Sequence, residues 1–366
     1  MIHPQFDFAG RMKRARHAML QAGIDVMLVS VGSDLPYLTG YEAVPSERLT
    51  MAAIPLDREA VLVVPELEAP RVKAQPGLFS IVPWRETDDP LAFVANHCDG
   101  ARRVAVGDQT WSVFLLALQD RLAGVDFVSG RAISSALRIR KDPDEIELLR
   151  SAAAAVDRAV GRLQDHRFSG KTEFELSEEV AALAVEEGSD VATFRIVAAG
   201  PNSASPHHEP GDRVIQPGDA VVVDFGGKVG GYCSDTTRTF HVGAPPDGYR
   251  EVHRIVREAQ QAGFEAAGPG VACEDVDAAG RAIIDSAGYG QFFFHRIGHG
   301  IGLDVHEDPY LVAGNRTELE SGMAFSIEPG IYMPGRFGVR IEDIAICTDR
   351  GAERLNTSPH DTLVVE

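Results

Sequence analysis

The sequence predicts an α+β protein of two domains, the larger of which passes twice through a helix–helix–sheet order. Three observations carry this expectation. Residues 1–138 alternate short apolar strands with amphipathic helices, as an α/β layer requires. At Asp142-Pro143 a capped helix opens a segment of different character. Residues 139–366 then run twice through two helices followed by strands, and each run holds one hairpin with two acids.

In chain order, Met12, Ala15, Met19 and Leu20 recur at helical spacing and Gly23 closes that helix. Residues 25–31 read as a buried strand, and 51–54 with 60–64 as a hairpin. Strands at 103–106 and 126–128 flank a helix over 111–122. Asp142, Pro143 and Glu145 supply an N-cap, a first-turn proline and a capping box for a helix reaching Gln164. Thr172 and Glu175 start the next helix, which Gly188 ends, and strands follow over 193–241. Helices over 249–267 and 274–287, each stopped by glycine, and strands over 292–347 repeat the order.

The first acidic hairpin is 220–239, AVVVDFGGKVGGYCSDTTRT. A turn centred between Val229 and Gly230 makes Asp224 and Asp235 face each other, with Cβ atoms about 4.5–5.5 Å apart. Carboxylates so placed repel unless a cation lies between them or one is protonated. In the second hairpin, 324–329 (AFSIEP) and 339–346 (VRIEDIAI) are strand-like, and a turn centred on Gly335 opposes Glu328 and Glu342. His299 lies between the hairpins in Gly298-His299-Gly300-Ile301-Gly302. Four carboxylates and a neutral imidazole carry about four negative charges, which two divalent cations would balance.

The chain has 366 residues, 44% hydrophobic and 24% charged, with a net charge of −19. That balance fits an ordinary globular protein and argues against a nucleic-acid backbone or an anionic membrane as partner. No run approaches ~18 apolar residues, so no membrane span is expected, and residues 1–20 lack the apolar core of a signal peptide. Cys98, Cys233, Cys273 and Cys347 form no paired spacing, which predicts reduced thiols and a cytoplasmic location. Cys233, between the two aspartates, reads either as a soft extra ligand or, more plainly, as a small core residue.

Hard oxygen donors with one nitrogen favour Mn, Co, Fe or Zn in a mixed site over a thiolate zinc site. Paired metals can lower the pKa of a shared water and polarise a carbonyl, which is hydrolase chemistry. Any single acid is better explained as a solvated hairpin end or a salt-bridge partner; two opposed pairs beside a glycine-flanked histidine are not. His207, in a turn-rich loop after Pro206, can meet a substrate. His306 and His295 flank His299, whereas His208 reads as a loop or surface residue. The glycines at 298–302 lack the strand–turn–helix setting of a phosphate loop.

The motifs Pro206-His207, Asp224-Phe225-Gly226, Ser234-Asp235-Thr236-Thr237-Arg238-Thr239, Gly298-His299-Gly300-Ile301-Gly302, His306-Glu307-Asp308-Pro309, Ser326-Ile327-Glu328-Pro329-Gly330 and Val339-Arg340-Ile341-Glu342-Asp343 resemble one family. It is the pita-bread-fold metallopeptidases: Xaa-Pro dipeptidase (prolidase), aminopeptidase P, methionine aminopeptidase and creatinase. Tyr37-Leu38-Thr39-Gly40 is similar to the creatinase-type N-terminal domain of prolidase and aminopeptidase P. The resemblance implies a smaller creatinase-like α/β domain over 1–138 and a pita-bread catalytic domain of two pseudo-repeated ααβ halves over 139–366.

It also implies that Asp224, Asp235, His299, Glu328 and Glu342 hold two divalent metals, manganese foremost, with cobalt or zinc as alternatives. Glu328 would act as general base toward a metal-bridging hydroxide, and His207 and His306 would clamp the scissile peptide and its oxyanion. Arg340 would orient Glu342 or its neighbours, and His295 would border the proline pocket. A homodimer acting on proline-containing peptides is expected, as Xaa-Pro dipeptidase or, alternatively, aminopeptidase P. A metal-free creatinase-like C–N hydrolase and a non-catalytic binding protein rank below these. In one respect the chain departs from the family: Tyr310 stands where some dipeptidases place a base for the substrate carboxylate, which makes Arg336 the expected cation.

Overall fold

The computed structural model describes residues 6–73 and 75–366; residues 1–5, part of the stretch read as lacking a signal peptide, lie outside them. The chain divides into two compact units, Met1–Arg138 and Ile139–Glu366.

The first unit runs α1 (Phe8–Ala22), β1 (Val26–Ser30), α2 (Asp34–Thr39), β2 (Met51–Pro55), β3 (Ala60–Pro65), β4 (Phe79–Trp84), α3 (Pro90–His97), β5 (Arg103–Val106), α4 (Ser112–Arg121), β6 (Asp126–Ser129) and α5 (Arg131–Arg138). Its sheet has the order β4-β3-β2-β1-β5-β6, with β1–β2 and β2–β3 antiparallel and the remaining pairs parallel. Wholly apolar β2 and β3 lie inside, as near-continuous hydrophobic runs require. The unforeseen strand is β4. Its Pro83 lacks an N–H and hides the strand in the sequence, and an edge position is where proline is tolerated.

The second unit contains α6 (Pro143–Leu163), α7 (Glu173–Glu186), β7 (Val191–Ala199), β8 (Ala220–Val229), β9 (Tyr232–Cys233), β10 (Thr236–Val242), α8 (Tyr249–Ala266) and α9 (Cys273–Ser286). It continues with β11 (Gly298–Gly300), β12 (Glu307–Leu311), β13 (Ala324–Ile327), β14 (Gly330–Met333), β15 (Phe337–Arg340), β16 (Asp343–Thr348), β17 (Gly351–Arg354) and β18 (Leu363–Val365). Both capping boxes form, at Asp142/Glu145 and Thr172/Glu175. One core joins α6 and α7 to the sheet β18-β10-β8-β7, and a second joins α8 and α9 to the strands of β12-β11-β13-β16-β17 and the ribbon β14–β15. This is the two-half pita-bread arrangement, preceded by the creatinase-type unit.

The two acidic hairpins differ in how they turn. Around Gly335 the pairing is as expected, Gly330 opposite Arg340 and Ile327 opposite Asp343, so Glu328 and Glu342 oppose where the ribbon meets the sheet. The first hairpin is a correction. Val229 pairs with Tyr232, and Asp224 pairs with Thr237 rather than with Asp235. Gly230 and Gly231 (φ 57° and 87°) form the turn, because a tight hairpin needs positive φ that β-branched Val229 resists. Asp235 therefore lies one diagonal step from Asp224, in the break between β9 and β10.

Candidate metal centre

The two hairpins and His299 meet at one place in the second unit. Oxygen atoms of Asp224, Asp235 and Glu342 lie within 4.8 Å of one another, and so do ligand atoms of His299, Glu328 and Glu342. His299 Nε2 is 3.5 Å from Asp235 Oδ2 and 3.3 Å from Glu328 Oε1. Backbone pairing brings the halves together: Glu342 N–H donates to the Thr237 carbonyl at 3.1 Å, and Glu328 N–H to that of Ile297 at 2.7 Å. Thr237 Oγ1 donates to Glu342 Oε2 at 2.7 Å. His299 Nδ1 donates to the Gly300 carbonyl at 3.0 Å, which turns its Nε2 lone pair toward the acids. Gly298 and Gly300 permit this crossing, since a Cβ on either would strike the Ser326 or Asp308 carbonyl.

Asp224 Oδ1, Asp235 Oδ1 and Glu342 Oε1 are buried without a hydrogen-bond partner. Leaving buried acceptors unpaired is costly, so three in one cluster mark a place for cations. Burial and the neighbouring carboxylates push Asp235 and Glu342 well above the usual carboxylate range. Asp224 is raised too, by burial, although the Arg340 charge opposes it. Glu328 resists burial and is held below its usual range by His299, His295 and Arg340. Hard oxygens with one imidazole fit divalent metal ions.

Arg340 organises the surroundings. Its Nη2 is 2.6 Å from Asp224 Oδ2, Nε donates to Thr237 Oγ1 at 3.0 Å, and Nη1 donates to Tyr332 Oη at 2.9 Å. The Tyr332 hydroxyl then donates to His295 Nε2 at 3.0 Å, while His295 Nδ1 donates to the Arg296 carbonyl at 2.7 Å. Burial, then the Arg340 charge, lower the His295 pKa, against the opposing pull of Glu328 and the Arg296 carbonyl.

Residues 147–349 match the model of Metallopeptidase family M24, and residues 11–140 match that of the Creatinase/Prolidase N-terminal domain. The chain belongs to metallopeptidase family M24. Among M24 relatives, the probable dipeptidase PepE of Mycobacterium tuberculosis is 43% identical, over 98% of this chain and 96% of its own. The Xaa-Pro dipeptidase of Lactobacillus helveticus is 35% identical, over 93% and 95%. The crystal structure of prolidase from Thermococcus sibiricus superposes with a TM-score of 0.94 at 34% identity, covering 99% of this chain and all of that one.

The remaining expected residues of this M24 chain fall into two groups. His306 is brought to the acids: its ring is 4.2 Å from that of His299, and its nitrogen joins a cluster with Asp235 and His299. Partial burial, then His299 and Arg296, push its pKa down to about 4. His207 is exposed on its loop. Tyr310 pairs with His299 across β11 and β12. Arg336 is not brought in. It is exposed at the hairpin tip, donates to the Asp247 carbonyl at 2.9 Å and lies over Phe337.

Sequence reasoning missed Arg296, whose guanidinium sits 4.4 Å from the Tyr310 ring and has no carboxylate partner among the described residues. Its place between His295 and His299 was the available signal. Cys233 is a core residue: its Sγ faces the Leu303 carbonyl at 3.4 Å, and burial pushes the thiol up to about 12. His208 lies in the loop after Pro206, half-buried against Glu173. No helix among the described residues is long and apolar enough to cross a membrane.

Proposed function

We propose that this protein is a dimetal Xaa-Pro dipeptidase cleaving the peptide bond before proline. Asp224, Asp235, His299, Glu328 and Glu342 hold the two cations, manganese foremost. When bound, the pair supplies Lewis acidity and a water of lowered pKa. Glu328, whose pKa is lowered by its histidine and arginine neighbours, would take a proton from the attacking water and pass it to the departing proline nitrogen. His306, neutral at pH 7, donates an N–H to the carbonyl oxygen as charge develops on it, and His207 holds the scissile peptide from its loop. His295 and Tyr332, locked to each other, wall the proline side. Arg296, stacked on Tyr310, receives the free carboxylate in place of Arg336.

The observation that carries this reading is the convergence of four acids and an imidazole around three unpartnered buried carboxylate oxygens. The names of the dipeptidase and prolidase relatives support the substrate class. Four buried, unpaired cysteines support a cytoplasmic protein, and a homodimer, readable by light scattering, belongs to the same reading. The test is turnover of Ala-Pro and Ala-Pro-Ala by protein loaded with manganese or cobalt. Ala-Pro cleavage that is lost on chelation, with a lowered melting temperature, is expected. Preference for Ala-Pro-Ala points instead to aminopeptidase P, an alternative that Tyr310 favours by replacing a base. Activity that resists full metal removal would revive the creatinase-like hydrolase, and no activity with bound metal the binding protein.

A further inference from the structure

Residues 200–211, which carry His207, are held by a buried carboxylate that is not among the proposed ligands. Glu173, the first residue of α7, is fully buried. Its Oε1 accepts from the Ala199 N–H at 2.8 Å and from Asn202 Nδ2 at 3.0 Å. Its Oε2 accepts from His208 Nε2 at 2.7 Å, from Asn202 Nδ2 at 3.2 Å and, more weakly, from the Gly211 N–H at 3.4 Å. One side chain thus ties the end of β7, the short turn after it, His208 and the far end of the loop. A charge buried at the start of a helix is favoured there and, once paired, is expensive to loosen. The loop is tied from the other side as well. Arg340 Nη1 reaches the Pro206 carbonyl at 3.3 Å, and the Gly338 N–H donates to Ser203 Oγ at 2.8 Å.

His207 therefore stands exposed between two fixed neighbours: Pro206 held by Arg340, and His208 held by Glu173. We propose that Glu173 and His208 form a latch that sets the position of the His207 imidazole, acting as positioning residues for peptide hydrolysis. The proposal rests on the role given to His207. A bare exposed loop would let that ring wander, and a displacement of about 1 Å in a group that meets the reacting atoms can lower turnover about 100-fold. The conserved-geometry partner for an Nε2 donor is a glutamine amide, so His208→Gln keeps the bond to Glu173 and His208→Leu removes it.

The experiment is a double-mutant cycle on metal-loaded protein with Ala-Pro. His208→Leu and Glu173→Gln are each expected to lower kcat about 10- to 100-fold, with KM moved less and metal content unchanged. His208→Gln is expected to restore most of the rate. Added to His207→Ala, either change is expected to cost little more, because the latch acts through that ring. Losses that multiply with His207→Ala, or a His208→Leu enzyme with wild-type kcat, overturn the latch. Should Glu173→Gln fail to fold, the His208 pair completes the cycle. Amide exchange across residues 199–211 separates this proposal from the function it rests on. Faster exchange in His208→Leu supports the latch even in a protein that cleaves no Xaa-Pro peptide, and unchanged exchange overturns it.

Discussion

Arg340 Nη2 lies 2.6 Å from Asp224 Oδ2, and the same guanidinium also holds Thr237, Tyr332 and the carbonyl before His207. It thereby couples the Asp224 carboxylate, proposed as a metal ligand, to the hydroxyl bonded to Glu342 and to the His295 chain. Arg340→Lys keeps the charge but loses the fork that serves several partners at once. Removing such outer support costs about 10–100-fold in metal affinity or activity. Arg340→Lys is therefore expected to lose at least about tenfold in kcat/KM and to bind manganese more weakly. Unchanged metal affinity together with unchanged turnover would exclude this role.

Arg296 gives a prediction that depends on substrate ends. A charged hydrogen bond is worth about 1.5–3 kcal/mol, roughly 10- to 100-fold in affinity. Arg296→Ala is expected to raise KM for Ala-Pro by that factor while barely changing hydrolysis of Ala-Pro amide, which lacks the carboxylate. Its stacking on Tyr310 adds a related test, since Tyr310→Ala frees the guanidinium and should raise the same KM more modestly. Equal effects of Arg296→Ala on both substrates would show that it does not read the carboxylate.

The legibility of this molecule followed the range of its interactions. Glu328 and Glu342 could be opposed correctly because Gly335 leaves one turn centre and the flanking strands alternate cleanly. Asp224 and Asp235 were placed in one hairpin but misregistered by two residues, since Val229, Gly230 and Gly231 offer adjacent turn centres. The partners of charged residues were beyond reach. Lys141 finds Glu307 166 positions away, and Arg340 finds Asp224 116 away. Neither pairing leaves a local periodicity, because tertiary folding alone brings these groups together.

His253 carries a pH prediction clear of the metal site. Burial, then the Arg257 charge, push its pKa from 6.5 down to about 4, against the opposing pull of Asp361. Tyr249, His241 and His360 also face it, and none supplies a negative charge at neutral pH. A histidine depressed in the fold binds its proton more readily when unfolded, so stability is complete above pH 6.5 and is lost as pH falls toward 4. A shift of that size corresponds to about 3 kcal/mol across the window. His253→Leu cannot take up the proton and is expected to show a flatter loss of stability between those limits, by chemical denaturation at a series of pH values. Parallel curves for the two proteins would remove His253 from the acid response.

Lys141 and Glu307 make a buried ion pair near the site, with Nζ 2.6 Å from Oε1 and side chains 1% and 8% exposed. Lys141 lies just before Asp142, the N-cap of α6, and Glu307 follows His306, so the pair fastens the His306 segment to the start of the catalytic unit. A buried ion pair adds little net stability, but breaking one side leaves a costly charge and typically destabilises by about 3–5 kcal/mol. Lys141→Met is therefore expected to lower stability by that amount, and Lys141→Met with Glu307→Leu to recover most of it. Recovery of stability need not bring back activity, because an apolar pair of different shape no longer dictates where His306 lies. The expected double variant is stable yet slowed in kcat, with metal content intact. A double variant as unstable as Lys141→Met alone would mean that the lysine stabilises through contacts other than Glu307.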